Sequence, residues 1–278
     1  LLFLILIGAG GVSLGQLSAA ETRSGPQRIL SMNLCIDQLL LQLVDRDRIL
    51  SVAADSADPQ LSSIADQVKG IPVNHGRAEE VIAFNPDLVL AGPFTTPHTA
   101  GLLQRLGYRV ETIPLPRSFS EASKVITELA DLLEVGPRGL EIARRLDADL
   151  AELQRQVGNR PDRPTAAFFE PNGFTPTAGT IGDRLLSAAG MENLAADLER
   201  PYLSLEDLIS ARPDFLVLQM QPGVSRSQAE ALLEHPAMQG MEGYGRILKL
   251  PPLAWACGGP EAVAAARELA RQAGTVSR

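Results

Sequence analysis

Two stretches decide the fold: Glu79-Glu-Val-Ile-Ala-Phe-Asn-Pro86-Asp87-Leu-Val-Leu90 and Glu206-Asp-Leu-Ile-Ser-Ala-Arg-Pro213-Asp214-Phe-Leu-Val-Leu218. In each, a short helical pattern ends at a Pro-Asp turn that launches an apolar strand, and a Glu stands seven residues before the proline. That offset puts the Glu in the first turn of its helix, where the helix dipole favours a carboxylate. Helix, turn and strand alone are ordinary α/β grammar. The same Glu offset in both halves of the chain points to two similar lobes.

The pattern extends outward from both copies. Around the first, strands are expected at 28–31, 49–53, 88–91 and 109–113, with helices at 36–44, 78–84 and 99–106. Around the second, strands are expected at 166–169, 215–218 and 247–250, with helices at 182–189, 205–210 and 260–272. Strands alternating with helices imply parallel pairing with helices on both faces. Between the halves, Leu140, Ala143, Leu146, Leu150, Leu153 and Val157 recur every three or four residues on a charged background. Pro137 to Gly158 therefore reads as one helix about 30 Å long. The expected architecture is α/β: an N-terminal lobe (28–136), a linking helix (137–158) and a C-terminal lobe (164–274), each lobe with a mostly parallel central sheet. A helix inside one continuous domain is the alternative.

The 278 residues are 45% hydrophobic and 21% charged, a globular composition that excludes a disordered chain. The net charge of −8, without a basic run, argues against nucleic acid as a partner. The first twenty residues differ from the rest: Leu1 to Ile7 is apolar, no charge precedes Glu21, and Ser18-Ala-Ala20 offers small side chains at a cleavage site. Residues 1–20 read as the apolar and cleavage regions of a signal peptide whose basic start is missing from the sequence. The mature chain is then expected to start near Glu21, in an oxidising compartment such as a periplasm. Beyond that leader, no apolar stretch is long enough to cross a bilayer.

In the order and spacing of these units, with Pro171-Asn-Gly-Phe-Thr175 and Asn193-Leu-Ala195, residues 28–274 resemble the periplasmic substrate-binding proteins of ABC importers for iron–siderophores, haem and cobalamin. The resemblance implies two lobes on one long helix, with the ligand in the cleft between them and little closure. It also gives Glu79 and Glu206 a role: one carboxylate per lobe pairs with arginines on the two subunits of an inner-membrane permease. On the residues alone, each Glu need only stabilise its helix start, and Glu80 is a possible substitute for Glu79. The implied partners are a small metal chelate of iron or cobalt and the permease dimer. The protein itself is expected to be a monomer without an intrinsic cofactor.

Ligands of open α/β sheets meet the loops at the carboxyl ends of strands. Those loops carry Asn33, Cys35, His75, Thr95 and Thr96 in the first lobe, and Glu170, Asn172, Phe174, Gln219, Trp255 and Cys257 in the second. Tyr202, just ahead of the Glu206 helix, is placed to reach the mouth. The lone Trp, a Tyr and several amides on these loops suit a flat or bulky ligand held by stacking. Trp255 reads as a cleft residue, with core packing beside the last helix as the alternative.

Cys35 and Cys257 allow three readings: a disulfide, which across a cleft would lock the lobes; two separate thiols acting as small hydrophobes; or, with His75, a contact to haem iron, cobalt or a transition metal. His98 and His235 read as a solvated loop residue and a helix end. A rival of another class is a secreted thiol-dependent hydrolase using Cys35, His75 and Glu170. A dinucleotide enzyme is excluded, since Ser31-Met-Asn-Leu-Cys35 has no glycine where the pyrophosphate would need bare backbone.

Overall fold

A computed structural model describes residues 25–94, 97–159, 161–170, 173–219, 246–251 and 255–276. The expected leader, residues 1–20, lies outside them. The first lobe runs β1 (Ile29–Ser31), α1 (Leu34–Leu43), β2 (Ile49–Ala53), α2 (Ala54–Ala57), β3 (Val73–Asn74), α3 (Ala78–Phe84), β4 (Leu88–Ala91), α4 (Pro97–Arg105) and β5 (Val110–Thr112). Its five strands lie in the order β3-β2-β1-β4-β5, every pair parallel. The second lobe runs β6 (Thr165–Phe168), α7 (Ile181–Ala188), β7 (Glu192–Asn193), α8 (Leu205–Ala211), β8 (Phe215–Gln219), β9 (Arg246–Leu250) and α9 (Pro260–Ala273). Its four strands lie in the order β7-β6-β8-β9, again parallel. Between the two come α5 (Phe119–Leu132) and α6 (Gly136–Val157).

The duplicated motif is duplicated in its bonding too. Helix α3 ends at Asn85 (φ 48°, ψ 61°) and α8 at Arg212 (φ 48°, ψ 65°), both left-handed. After each comes the Pro-Asp pair, and the aspartate ties the strand it launches to the central strand beside it. Asp87 accepts from the backbone N–H groups of Gln27 at 2.8 Å and Arg28 at 3.0 Å, just before β1. Asp214 accepts from the Thr165 N–H at 2.8 Å and its hydroxyl at 2.9 Å, at the start of β6. The Pro-Asp turn is thus a clamp between neighbouring strands.

The linking rod is a helical hairpin rather than a single helix. The expected helix appears as α6, 22 residues long, and α5 packs along it. That partner went unread, although Phe119, Ala122, Val125, Ile126 and Leu129 form a buried stripe and the Ser118 hydroxyl accepts from the Glu121 N–H. Gly139 sits at the crossing, where an added Cβ would collide with the Ala130 methyl. The hairpin therefore turns Gly139 and Ile142 inward and leaves Leu140 exposed, against the expectation that Leu140 belongs to the stripe.

Side chains alternate across each sheet, as strand geometry requires. On the inner faces, Ile29, Leu88 and Leu90 of one lobe, and Ala166, Phe168, Phe215 and Val217 of the other, join α5, α6 and α9 in one buried cluster. On the outer faces, Leu30 and Val89 pack under α3 and α4, while Ala167, Leu216 and Leu218 pack with Leu208 of α8. The two sheets thus share a core through the hairpin.

Candidate functional site

The first lobe's half of the site starts from a helix cap. Asn33 follows β1, and its side-chain oxygen accepts from the N–H groups of Cys35 (3.0 Å) and Ile36 (3.3 Å), starting α1 in a fixed direction. The helix then presents Cys35, Leu39 and Gln42, spaced four and three residues apart and hence on one face, to the second lobe. Cys35 is disulfide-bonded to Cys257, with Cα atoms 5.1 Å apart. Leu39 lies against Gly259, and the Gln42 side-chain amide donates to Glu261 of α9 at 2.8 Å. Burial pushes the Glu261 carboxyl above the usual carboxylate range.

This bond corrects two expectations. A disulfide sulfur is neither a thiolate ligand nor a nucleophile. The metal set Cys35, Cys257 and His75 is therefore not formed, and the thiol-hydrolase reading loses its nucleophile. His75 is engaged elsewhere: its backbone N–H donates to Glu80 at 2.7 Å and its ring Nδ1 lies 3.2 Å from the other Glu80 oxygen. That backbone hydrogen bond, more than the ring, holds Glu80 below its ordinary pKa. The loop is fixed by buried Asn74, whose amide donates to the Ser31 and Val52 carbonyls at 2.9 Å each. Among the described residues, no three His, Cys, Asp or Glu side chains gather as a metal site.

Beside the disulfide lies a small cavity of about 50 Å³, bounded by Asn33, Cys35, Phe94, Pro116, Val125 and Cys257 among others. Its lining is almost wholly apolar. Phe94, just beyond β4, is 83% exposed at its edge.

The second lobe contributes the ends of β6 and β8. Glu170 follows β6, is buried, and accepts a hydrogen bond from the Gln219 amide at the end of β8. Burial raises its pKa, and the amide works against that rise. The loop then turns at Gly173 (φ 76°), where a Cβ would lie 2.6 Å from the Leu203 carbonyl oxygen and 2.8 Å from the Tyr202 ring. Only glycine permits this approach, which pairs Phe174 with Tyr202 in an antiparallel bridge. Both aromatic side chains stay about half exposed, at 47% and 57%.

Trp255 is not in the cleft. It is buried, with its ring centroid 4.8 Å from that of Phe168, as part of the shared core. The large indole area is worth more packed there than at a wet rim. Thr95, Thr96, Asn172 and His235 lie outside the described residues. His98 is exposed in the first turn of α4. Glu79 and Glu206 are both exposed, in the first turns of the matched helices α3 and α8.

Sequence reasoning missed the stitch between Leu39 or Gln42 and the 259–261 segment. The shared face of positions 35, 39 and 42 was the available signal; nothing in the sequence named its partner.

The profile of the periplasmic binding protein family matches residues 29–244. A cobalamin-binding protein of Halobacterium salinarum is 27% identical over 226 residues, 77% of this chain and 58% of that protein. The chain thus spans little more than half of that relative's length. Among solved structures, the apo periplasmic heme-binding protein of Roseiflexus sp. RS-1 superposes with a TM-score of 0.75 at 24% identity, over 89% of this chain and 97% of that one. The periplasmic vitamin B12-binding protein of Vibrio cholerae gives 0.67 at 18% identity, over 88% and 96%. At these identities the two structures establish a shared fold.

Proposed function

Because the chain belongs to the periplasmic binding protein family, we propose that it is the solute-binding component of an ABC importer, capturing a bulky metal chelate of the corrinoid class between its lobes. The observation that carries this reading is the set of exposed aromatics on both lobes: Phe94 beside the apolar cavity on one side, Phe174 and Tyr202 on the other. Large exposed aromatics suit a ligand with broad apolar faces. The polar groups beside them, Asn33, Glu170 and Gln219, are amides and a buried carboxyl. They suit a periphery rich in amides, such as a corrin ring carries, better than the paired carboxylates of haem. The likeness to a cobalamin-binding relative supports the same choice, with ferric siderophores the next class. The reading includes an exported, monomeric protein, and an oxidised cysteine pair fits such a compartment.

Titration with cobinamide, cyanocobalamin, haemin and a ferric hydroxamate, followed by calorimetry and visible absorbance, tests it. A one-to-one corrinoid complex that raises the melting temperature is expected. Failure of all four to bind would discard the chelate reading.

In this proposal Glu79 and Glu206 dock the lobes to the two permease subunits, giving register and steering more than raw affinity. Glu79→Ala with Glu206→Ala should abolish uptake in a corrinoid-dependent growth assay while leaving Kd within about twofold. A weakened Kd would move these carboxylates into the cleft and end the docking assignment.

A further inference from the structure

The chain passes between the lobes through the 113–164 segment, most of it the α5–α6 hairpin. A body held at one connection is free to tilt and twist about it. A second connection fixed to both bodies leaves chiefly rotation about the line through the two. The structure supplies that second connection along α1: the Cys35–Cys257 bond, Leu39 against Gly259, and Gln42 hydrogen-bonded to Glu261. It stands on the hairpin side of the site. Cys35 and Cys257 line the same cavity as Ala122, Val125 and Ile126 of α5, and Gly258 abuts Pro116, just ahead of that helix.

We propose that the Cys35–Cys257 bond is a covalent hinge pin, holding the inner edges of the lobes at fixed spacing so that opening and closing become pivoting at the outer rim. This revises the expectation that such a bond locks the lobes. A bond spanning the mouth would do so, whereas one beside the connecting hairpin removes splaying and twisting and leaves rotation. The proposal holds whatever the ligand, so its failure and that of the corrinoid reading are separate events.

The test places spin labels, carried on non-natural amino acids so that the cysteines stay paired, at exposed Arg105 of α4 and Ser210 of α8. Distance distributions are compared for the oxidised protein, the protein treated with dithiothreitol, and the Cys35→Ser/Cys257→Ser variant. Dithiothreitol delivers two electrons and two protons to the bond, giving two thiols, and closes to its own disulfide. A narrow distribution is expected when oxidised, widening about twofold or more in the other two states, with circular dichroism unchanged. Equal widths in all three would show that the hairpin and the α1 contacts suffice, and would overturn the proposal. If the double variant does not fold, the reduced wild-type protein carries the comparison. If that too unfolds, the bond is a condition of folding rather than a hinge, and the proposal also fails. Two alkylatable thiols in protein purified from the periplasm without reductant would overturn it outright.

Discussion

Asp37 shows how a single group can set the response of the whole fold to pH. It lies fully buried in α1, its carboxylate accepting from the Ala53 N–H at 2.9 Å and the Ser56 hydroxyl at 2.6 Å. Burial outweighs those hydrogen bonds and pushes its pKa up to about 7. In the unfolded chain the same carboxyl ionises near 4. Between these values the folded state holds a proton that the unfolded state has released, so stability falls as pH rises through that window and levels off above it. The contribution is on the order of 3–4 kcal/mol across the window. Asp37→Asn should flatten the fall in urea midpoint between pH 4 and pH 7. Glu170 and Glu261, also raised by burial, should leave a residual slope of the same sign. An unchanged slope in the Asn variant would place the proton elsewhere. Residue-scale features of this kind were only partly legible in the sequence. Asn33 was legible as a loop residue just ahead of the first helix, whereas its role as the cap of that helix came from the structure. The burial of Asp37 and of Trp255 depends on which faces two distant segments turn toward each other, and no local pattern encodes that.

At the scale of elements, boundaries were most legible where local chemistry sets them. The Ala78–Phe84 helix and the Leu88–Ala91 strand appear as expected because a left-handed residue and a Pro-Asp pair punctuate them. The two-residue strands Val73–Asn74 and Glu192–Asn193 were not legible, since they are strands only through pairing with β2 and β6. Helix α5 was legible in principle from its periodicity and Ser118 cap, but its pairing with α6 was not, because that depends on which faces the two helices turn toward each other. Its packing on α6 depends on the bare surface of Gly139. Gly139→Ala should force the helices apart or strain their rotamers, at about 1–3 kcal/mol, read as a lower midpoint in chemical denaturation. Because the hairpin carries the shared core, both lobes should lose stability in the same transition. Two separate transitions would show that the lobes do not depend on the hairpin equally.

For the whole molecule, the bond between positions 35 and 257 closes a loop across 222 residues of sequence. Chain-entropy arguments put the stabilisation from so long a loop near 5 kcal/mol at most, and native disulfides commonly contribute about 2–5 kcal/mol. Reduction should therefore lower the melting temperature markedly while a folded state survives at 25 °C. A melting temperature that does not move on reduction would mean the unfolded chain is already compact across that span. The sequence left this pairing as one of three readings of its two cysteines, because whether they meet depends on how the two lobes pack once both have formed. The duplicated Glu and Pro-Asp units, by contrast, made the two-lobed plan legible from the first. The buried indole has a practical consequence of its own. As the chain's only tryptophan, packed against Phe168 and close to Gly182 of α7 in the shared core, it is a built-in optical gauge. Its emission should sit at the short-wavelength end while the core is dry and shift red as water enters, reporting the joint core of both halves without any dye.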